Sequence, residues 1–214
     1  MPVVRAHGIP LHGLYTILDP GAAKGRALPD VLQQAYEGGA RLFQYRDKQA
    51  TMAGAYRTAV NLRERAASLG CLFIVNDRCD LALAVEADGV HLGQDDVPIA
   101  VARKLMGLKR LIGISTHRPE QVTRATLEGA DYLGFGPIFG TASKADHEPV
   151  VGMEGLRAVR GLTVLPIFAI GGITLDAVES VKAAGADGVA VISAVVGAAD
   201  VKQAAAAFVR RWSA

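Results

Sequence analysis

Glu128-Gly-Ala-Asp-Tyr-Leu-Gly-Phe-Gly136 decides how this chain is to be read. Close versions of the phrase return as Glu37-Gly-Gly-Ala-Arg-Leu-Phe-Gln-Tyr45, Glu86-Ala-Asp-Gly-Val-His-Leu-Gly93 and Ala184-Gly-Ala-Asp-Gly-Val-Ala-Val-Ile192. Each reads as a helix end, a stop and a short apolar run. Glycine just past a helix takes the left-handed conformation that other residues avoid, and the run that follows is too short for a helix, so it is a buried strand. Helix followed at once by strand is the αβ half of a repeating βα unit.

Working outward, the phrases supply strands at Leu42 to Arg46, Gly89 to Leu92, Tyr132 to Phe135 and Gly188 to Ile192. Four more lie between them, at Leu14 to Leu18, Leu72 to Asn76, Arg110 to Ser115 and Pro166 to Ile170. The segments Met52 to Leu69, Arg118 to Leu127, Leu175 to Ala184 and Val201 to Trp212 carry apolar residues at three and four spacing with charges between them, the pattern of amphipathic helices. Eight strands alternating with about eight helices in 214 residues predict an α/β fold, a single-domain (β/α)8 TIM barrel over residues 1–214. The rival, an open doubly wound sheet, places a G-x-G-x-x-G phosphate loop after its first strand. Here that loop reads Asp19-Pro20-Gly21-Ala22. No Pro-, Gly- or Ser-rich linker divides the chain.

Half of the residues are apolar, enough for one large core, and 23 basic against 21 acidic residues leave a net charge of +2. The basic residues are scattered, which argues against a nucleic-acid or membrane-surface partner. No apolar run approaches the ~20 residues of a membrane span. Arg5, His7 and Pro10 interrupt the stretch where a secretion signal would sit. Cys71 and Cys79 match no metal-knuckle or redox spacing, so two reduced thiols and a cytoplasmic location are expected.

In a barrel the working residues stand at the C-terminal ends of the strands and in the loops that follow. After the second strand, Gln44, Arg46 and Lys48 alternate with Tyr45 and Asp47, so that two cations and an amide share a side, which suits a polyanionic substrate; a solvated charge pair is the plain alternative. The third strand ends in Asn76-Asp77 and the fourth in His91-Leu-Gly-Gln-Asp95-Asp96. On neighbouring strands about 4.8 Å apart, Asp77 and one of Asp95 or Asp96 can converge, and Mg²⁺ is held by one or two carboxylates with water and phosphate oxygens completing its shell. Alternatively Asp77 is the N-cap of the next helix. Gly113-Ile-Ser115 falls short of a nucleophile elbow, so Ser115 is a hydrogen-bonding group. Thr141-Ala142-Ser143-Lys144 offers two hydroxyls and an ammonium, and Gly171-Gly172 with Ile192-Ser193 closes the circuit where barrels often hold a phosphate. The five histidines form no zinc pattern, and His91 reads as a packed barrel residue.

Taken in order, Gln44-Tyr-Arg-Asp-Lys48, Asn76-Asp77, His91 to Asp96, Gly113 to Ser115, Thr141 to Lys144, Gly171-Gly172 and Ile192-Ser193 resemble the thiamine phosphate synthase family, from Leu14 to about Ala194. The resemblance implies that hydroxymethylpyrimidine diphosphate is joined to a thiazole phosphate with release of pyrophosphate. It makes the Gln44–Lys48 stretch, Tyr45 and Asp47 included, and Asn76 the diphosphate and pyrimidine site, sets Asp77 and Asp96 on Mg²⁺, lays Ser115 against the pyrimidine and gives the pyrophosphate to Lys144. Arg46, Lys48, Ser115 and Lys144 are its catalytic groups. Thr141, Ala142, Ser143, Gly172, Ile192 and Ser193 would hold the thiazole phosphate, with Ser143 where the family commonly has a second threonine. Two other readings share the barrel: a thiazole tautomerase of the same superfamily, which does not require the metal carboxylates, and a non-catalytic phosphate-binding barrel, which leaves the cations unexplained. Small molecules are the expected partners, and an oligomer is possible.

Overall fold

In the computed structural model, residues 8–140 and 149–214 are described, with the backbone of Arg5–Ala6. Eight parallel strands close into a barrel. They are β1 (Gly13–Leu18), β2 (Leu42–Tyr45), β3 (Leu72–Asn76), β4 (Gly89–Leu92), β5 (Leu111–Thr116), β6 (Tyr132–Phe135), β7 (Ile167–Ile170) and β8 (Gly188–Val191). Each pairs with its chain neighbour, and β8 pairs with β1, Val189 opposite Leu14, to seal the ring. The surrounding helices are α1 (Leu28–Glu37), α2 (Met52–Ser68), α3 (Cys79–Ala84), α4 (Ile99–Met106), α5 (Pro119–Leu127), α6 (Gly152–Arg160), α7 (Val178–Ala183), the short α8 (Ser193–Val196) and α9 (Val201–Ser213). Local sequence starts several of them: Thr51 Oγ1 accepts from Gly54 N–H at the head of α2, and Asp200 accepts from Gln203 N–H at the head of α9.

Strand parity divides the core in two. Leu14, Leu18, Phe43, Phe73, Val75, Val90 and Ile112 point outward against the helices, whereas Tyr15, Ile17, Leu42, Ile74, Tyr132 and Phe168 fill the barrel. Tyr15, Tyr132 and Phe168 meet edge to face at 5.2–5.9 Å. Glycines make that possible. A Cβ on Gly113 would lie 2.1 Å from the Tyr132 ring, and one on Gly188 would lie 2.5 Å from Phe168. Leu11, ahead of β1, joins the same inner cluster. Cys71 and Cys79 are free and buried, and burial pushes the Cys71 thiol up to about 11, so both behave as small core residues.

The repeated Gly-Ala-Asp phrase now has a physical explanation. Asp131 accepts the Ile112 N–H of β5 at 2.7 Å and the Arg103 guanidinium of α4 at 2.6 Å. Asp187 does the same with Ile167 N–H of β7 (2.9 Å) and Arg160 of α6 (2.7 Å). Asp88 does so with Phe73 N–H of β3 (2.8 Å) and Arg63 of α2 (3.4 Å). One carboxylate thus ties the start of the preceding strand to the preceding helix, at every second strand, on the N-terminal face. In the first copy the Asp is replaced by Arg41, which instead lies over the Tyr36 ring at 4.2 Å and donates to the Tyr36 carbonyl.

These charge-assisted bonds contribute to stability away from the site. Asp131→Ala is expected to lower the unfolding free energy by about 2 kcal/mol in a urea titration, because it strips a strand N–H and a guanidinium of their shared acceptor. A midpoint equal to that of the parent protein would contradict this role.

Candidate active site

The C-terminal rim is polarised. Beyond the end of β3, the Asp77 N–H donates to the His91 carbonyl of β4 at 2.8 Å, and its backbone stands at φ 62°, a left-handed value that costs a non-glycine residue about 1 kcal/mol. That turn aims the Asp77 carboxylate over the mouth, where it pairs with Lys48. The N-cap alternative is thereby corrected: Arg78 holds the cap position of α3 without a side-chain capping bond, and its guanidinium is taken by Asp80 at 2.6 Å.

Asp96 reaches the same place from the loop after β4. Its carboxylate accepts the Gly93 N–H at 2.7 Å. Its pKa is raised, first by burial, then by the charge of Asp77 and a hydrogen bond to it, against the opposing pull of the Gly93 N–H and Lys48. Lys48, Asp77 and Asp96 therefore form one cluster across β2, β3 and β4, while Asp95 is exposed. Two carboxylates with an ammonium already drawn to them are a donor set that fits Mg²⁺ with phosphate and water oxygens filling the remaining positions. Among the described residues no group of three or more His, Cys, Asp or Glu side chains could hold a metal.

Arg46, two residues before Lys48 in the chain, is engaged separately, by Asp19 at 2.7 Å. Asp19 also accepts the Gly21 N–H at 2.9 Å and so shapes the loop after β1. Further along that loop, Lys24 donates to the Gly197 carbonyl (2.7 Å) and Arg26 to that of Ala198 (2.8 Å), fastening the first loop to the eighth. Tyr45 points into the outer core, and Asp47 accepts the N–H groups of Gln49 (2.9 Å) and Ala50 (3.0 Å), holding the turn.

The floor of the mouth is made by inward residues. Gln44 is buried and donates to the Tyr15 hydroxyl, Asn76 stands opposite His91 in the β3/β4 register, and Ser115 is hydrogen-bonded to His91. The Ser115 carbonyl is held by Gln94 Nε2 (2.7 Å), which is itself gripped by Arg124.

At β7 and β8, diametrically across the ring from β3 and β4, the lining changes character. Gly171 and Gly172 have φ of 86° and 64°, and a Cβ on Gly172 would lie 2.4 Å from the Gly140 carbonyl oxygen. The pair serves a tight turn and a close approach of the loop after β6 at once, since Phe139 N–H also bonds the Gly171 carbonyl at 3.1 Å. Ile192 leads out of β8, and Ser193, exposed, opens α8. Thr141, Ala142, Ser143 and Lys144 lie outside the described residues. The sequence reading missed Asp19, Tyr15 and Tyr132. Parity alone could have found the two tyrosines, because both fall on inward positions of their strands.

Fold and site define a (β/α)8 barrel whose mouth has a carboxylate end and a glycine-lined end, bridged by a polar floor. The chain belongs to the thiamine monophosphate synthase (TMP-TENI) family, whose model matches residues 14–195. It is 49% identical over 192 residues to the thiamine-phosphate synthase of Chloroflexus aurantiacus, covering 90% of this chain and 88% of that one. It is 46% identical over 197 residues to the thiamine-phosphate synthase of Moorella thermoacetica, covering 92% and 94%. A solved structure, the thiamine phosphate pyrophosphorylase from Pyrococcus furiosus, superposes with a TM-score of 0.84 at 39% identity, over 94% of this chain and 95% of that one.

The raised pKa of Asp96 has a sign that can be checked. A carboxyl whose folded pKa exceeds its unfolded value favours folding below the unfolded pKa, and that contribution is lost as pH rises through the folded pKa. In chelator-treated protein, Asp96→Asn should therefore melt at or above the parent temperature at pH 7. Its advantage should shrink as pH falls through the carboxylate range. A variant that is less stable at pH 7 than the parent would contradict a site where burial and the charge of Asp77 disfavour the ionised Asp96.

Proposed function

We propose that this chain is a thiamine phosphate synthase, a transferase that joins 4-amino-2-methyl-5-hydroxymethylpyrimidine diphosphate to 4-methyl-5-(2-phosphoethyl)thiazole, or to its carboxylated form with loss of CO₂, and releases pyrophosphate. The observation that carries this reading is the polarity of the mouth. Each substrate has one anionic end and one heterocycle, and a barrel with a carboxylate–cation cluster on β2–β4 and a glycine turn on β7–β8 can take one anion at each end and bring the heterocycles together between them.

In this reading Asp77 and Asp96 would hold Mg²⁺, and Lys48, Arg46 and Asn76 would bind the diphosphate. When bound, the metal neutralises charge on the departing pyrophosphate. Lys48 and Arg46 are released from Asp77 and Asp19 toward the same oxygens, and Lys144 acts there too. Such cations accelerate the step only to the extent that they meet more charge in the transition state than in the ground state. Gln44 and Ser115 orient the pyrimidine. Tyr45 and Asp47 act by shaping the strand end and its turn. Thr141, Ala142, Ser143, Gly172, Ile192 and Ser193 receive the thiazole phosphate. The C–O bond to the diphosphate breaks with its electron pair leaving on pyrophosphate, the aminopyrimidine stabilises the resulting cationic CH₂, and the thiazole nitrogen lone pair forms the new C–N bond. No covalent nucleophile or strong base is needed for this sequence. The enzyme would work in the cytoplasm as one catalytic domain over residues 1–214. Among the described residues no helix is long and apolar enough to cross a membrane.

Product analysis with both substrates, with and without Mg²⁺, tests the reading. Thiamine phosphate and pyrophosphate should form only with the metal present. Isomerised thiazole with no coupling would show a tautomerase, and binding without turnover would show a non-catalytic barrel. Asp77→Ala should lower turnover by about a hundredfold or more with its unfolding midpoint little changed. Undiminished turnover at limiting Mg²⁺ would remove Asp77 from the site. A trifluoromethyl group on the pyrimidine should slow the single-turnover rate by several powers of ten, since it destabilises positive charge on the CH₂. A rate within about tenfold of the normal substrate would favour direct displacement.

A further inference from the structure

A chain of polar side chains crosses the barrel floor from β2 to β5. Gln44 donates an amide N–H to the Tyr15 hydroxyl at 2.7 Å, and the Tyr15 and Tyr132 hydroxyls are 2.9 Å apart. Tyr132 Oη lies 3.2 Å from His91 Nδ1, and His91 Nε2 lies 3.0 Å from Ser115 Oγ. None of the five residues is more than 8% exposed, so a proton left without an acceptor there is costly. Among the described residues the one buried side-chain oxygen or nitrogen without a partner is Thr16 Oγ1, which shares the outward parity of Leu14 and Leu18. The floor itself is satisfied.

A chain of this kind has a direction, because each hydroxyl and a neutral imidazole carry one proton apiece. Burial raises the pKa of both tyrosines, which keeps them as hydroxyls. With Gln44 donating to Tyr15, the Tyr15 proton has Tyr132 as its acceptor. The Tyr132 proton then goes to His91 Nδ1. His91 keeps its own proton on Nε2 and donates it to Ser115 Oγ. The reverse sense, Tyr132 donating to Tyr15, would strand the Tyr15 proton in the floor. At the far end the Ser115 hydroxyl proton is the one the chain does not use.

We propose that Tyr15, Tyr132 and His91 are positioning residues: the chain begun by Gln44 fixes His91 as its Nε2–H tautomer and turns Ser115 into a hydrogen-bond donor to an acceptor nitrogen of a heterocycle seated in the mouth. That the heterocycle is the pyrimidine rests on the synthase reading above. The tautomer and the direction of the chain do not. The two strands that flank the carboxylate end, β2 and β5, thereby act through one buried circuit, and a heterocycle with a C–H in place of the acceptor nitrogen is disfavoured.

Two measurements test this. In ¹⁵N-histidine-labelled protein without substrates, with the His91 signals assigned by their loss in His91→Gln, Nε2 should be protonated and Nδ1 bare. A protonated Nδ1 would overturn the proposal whether or not the protein makes thiamine phosphate. In the active protein, Tyr132→Phe removes one hydroxyl at nearly constant volume. It should raise KM for the pyrimidine diphosphate about three- to tenfold and leave KM for the thiazole phosphate within about twofold. In a Ser115→Ala background the same change should have no further effect, because its action passes through Ser115. An equal rise in both KM values, or the full effect of Tyr132→Phe persisting without the Ser115 hydroxyl, would reduce Tyr132 to a structural residue and overturn the proposal. Absence of thiamine phosphate from the parent protein would instead sink the synthase reading, and the histidine spectrum alone would then decide the chain.

Discussion

Asp77 and Asp96 meet through a hydrogen bond beyond the ends of neighbouring strands, where burial first and the charge of Asp77 second disfavour the ionised Asp96, and the carboxylate end of the mouth is built on that contact. Nothing in isolation favours it. Asp77 is there because its backbone accepts a left-handed turn and its N–H extends the β3/β4 ladder. Asp96 is there because the Gly93 N–H holds one of its oxygens. Lys48, exposed and reaching in from beyond a third strand, pairs with Asp77 and offsets part of that cost. The cost that burial and like charge place on the Asp96 carboxylate is one a divalent cation would relieve, and this is the physical basis of the proposed metal site.

Holding such a pair requires a stiff scaffold, and the barrel supplies it from both directions. Below, Asp88, Asp131 and Asp187 tie alternate strands to helices on the face farthest from the chemistry. Inside, the packed rings of Tyr15, Tyr132 and Phe168 fill the space that Gly113 and Gly188 vacate, so the strands cannot slide without a ring–backbone clash. The division matches what a barrel demands: stabilising residues at the N-terminal face, working residues at the C-terminal one.

Much of this was legible in the sequence, for physical reasons that also mark where reading stops. The repeated helix-end phrases mark four of the strands, and short apolar runs between them mark the other four. The ends read from sequence differ from the observed ones by one residue at Leu14, Arg46, Arg110, Ser115, Pro166 and Ile192, because ladder pairing, not hydropathy, decides the last residue. The approach of Asp77 and an acidic partner followed from strand adjacency. Adjacency alone left Asp95 and Asp96 equivalent, and only the family resemblance picked Asp96; the engagement of Lys48 by Asp77 and of Arg46 by Asp19 depends on long side chains whose direction parity does not fix. The Asp of the repeat looked like part of a strand phrase, and its function appeared only once Arg63, Arg103 and Arg160 were seen to meet it. Parity puts Tyr15 and Tyr132 inside the barrel, but nothing local in the sequence says which partner each buried hydroxyl meets.

The central claim is that the carboxylate end takes a diphosphate through a divalent cation. Calorimetric titration of inorganic pyrophosphate into the protein, with and without Mg²⁺, tests it without any turnover. The account predicts binding that requires Mg²⁺ and that weakens at least about tenfold in Asp77→Asn and in Asp96→Asn, the loss of one charged contact to a bound ion. Pyrophosphate binding of parental strength in both variants, or binding indifferent to Mg²⁺, would contradict it.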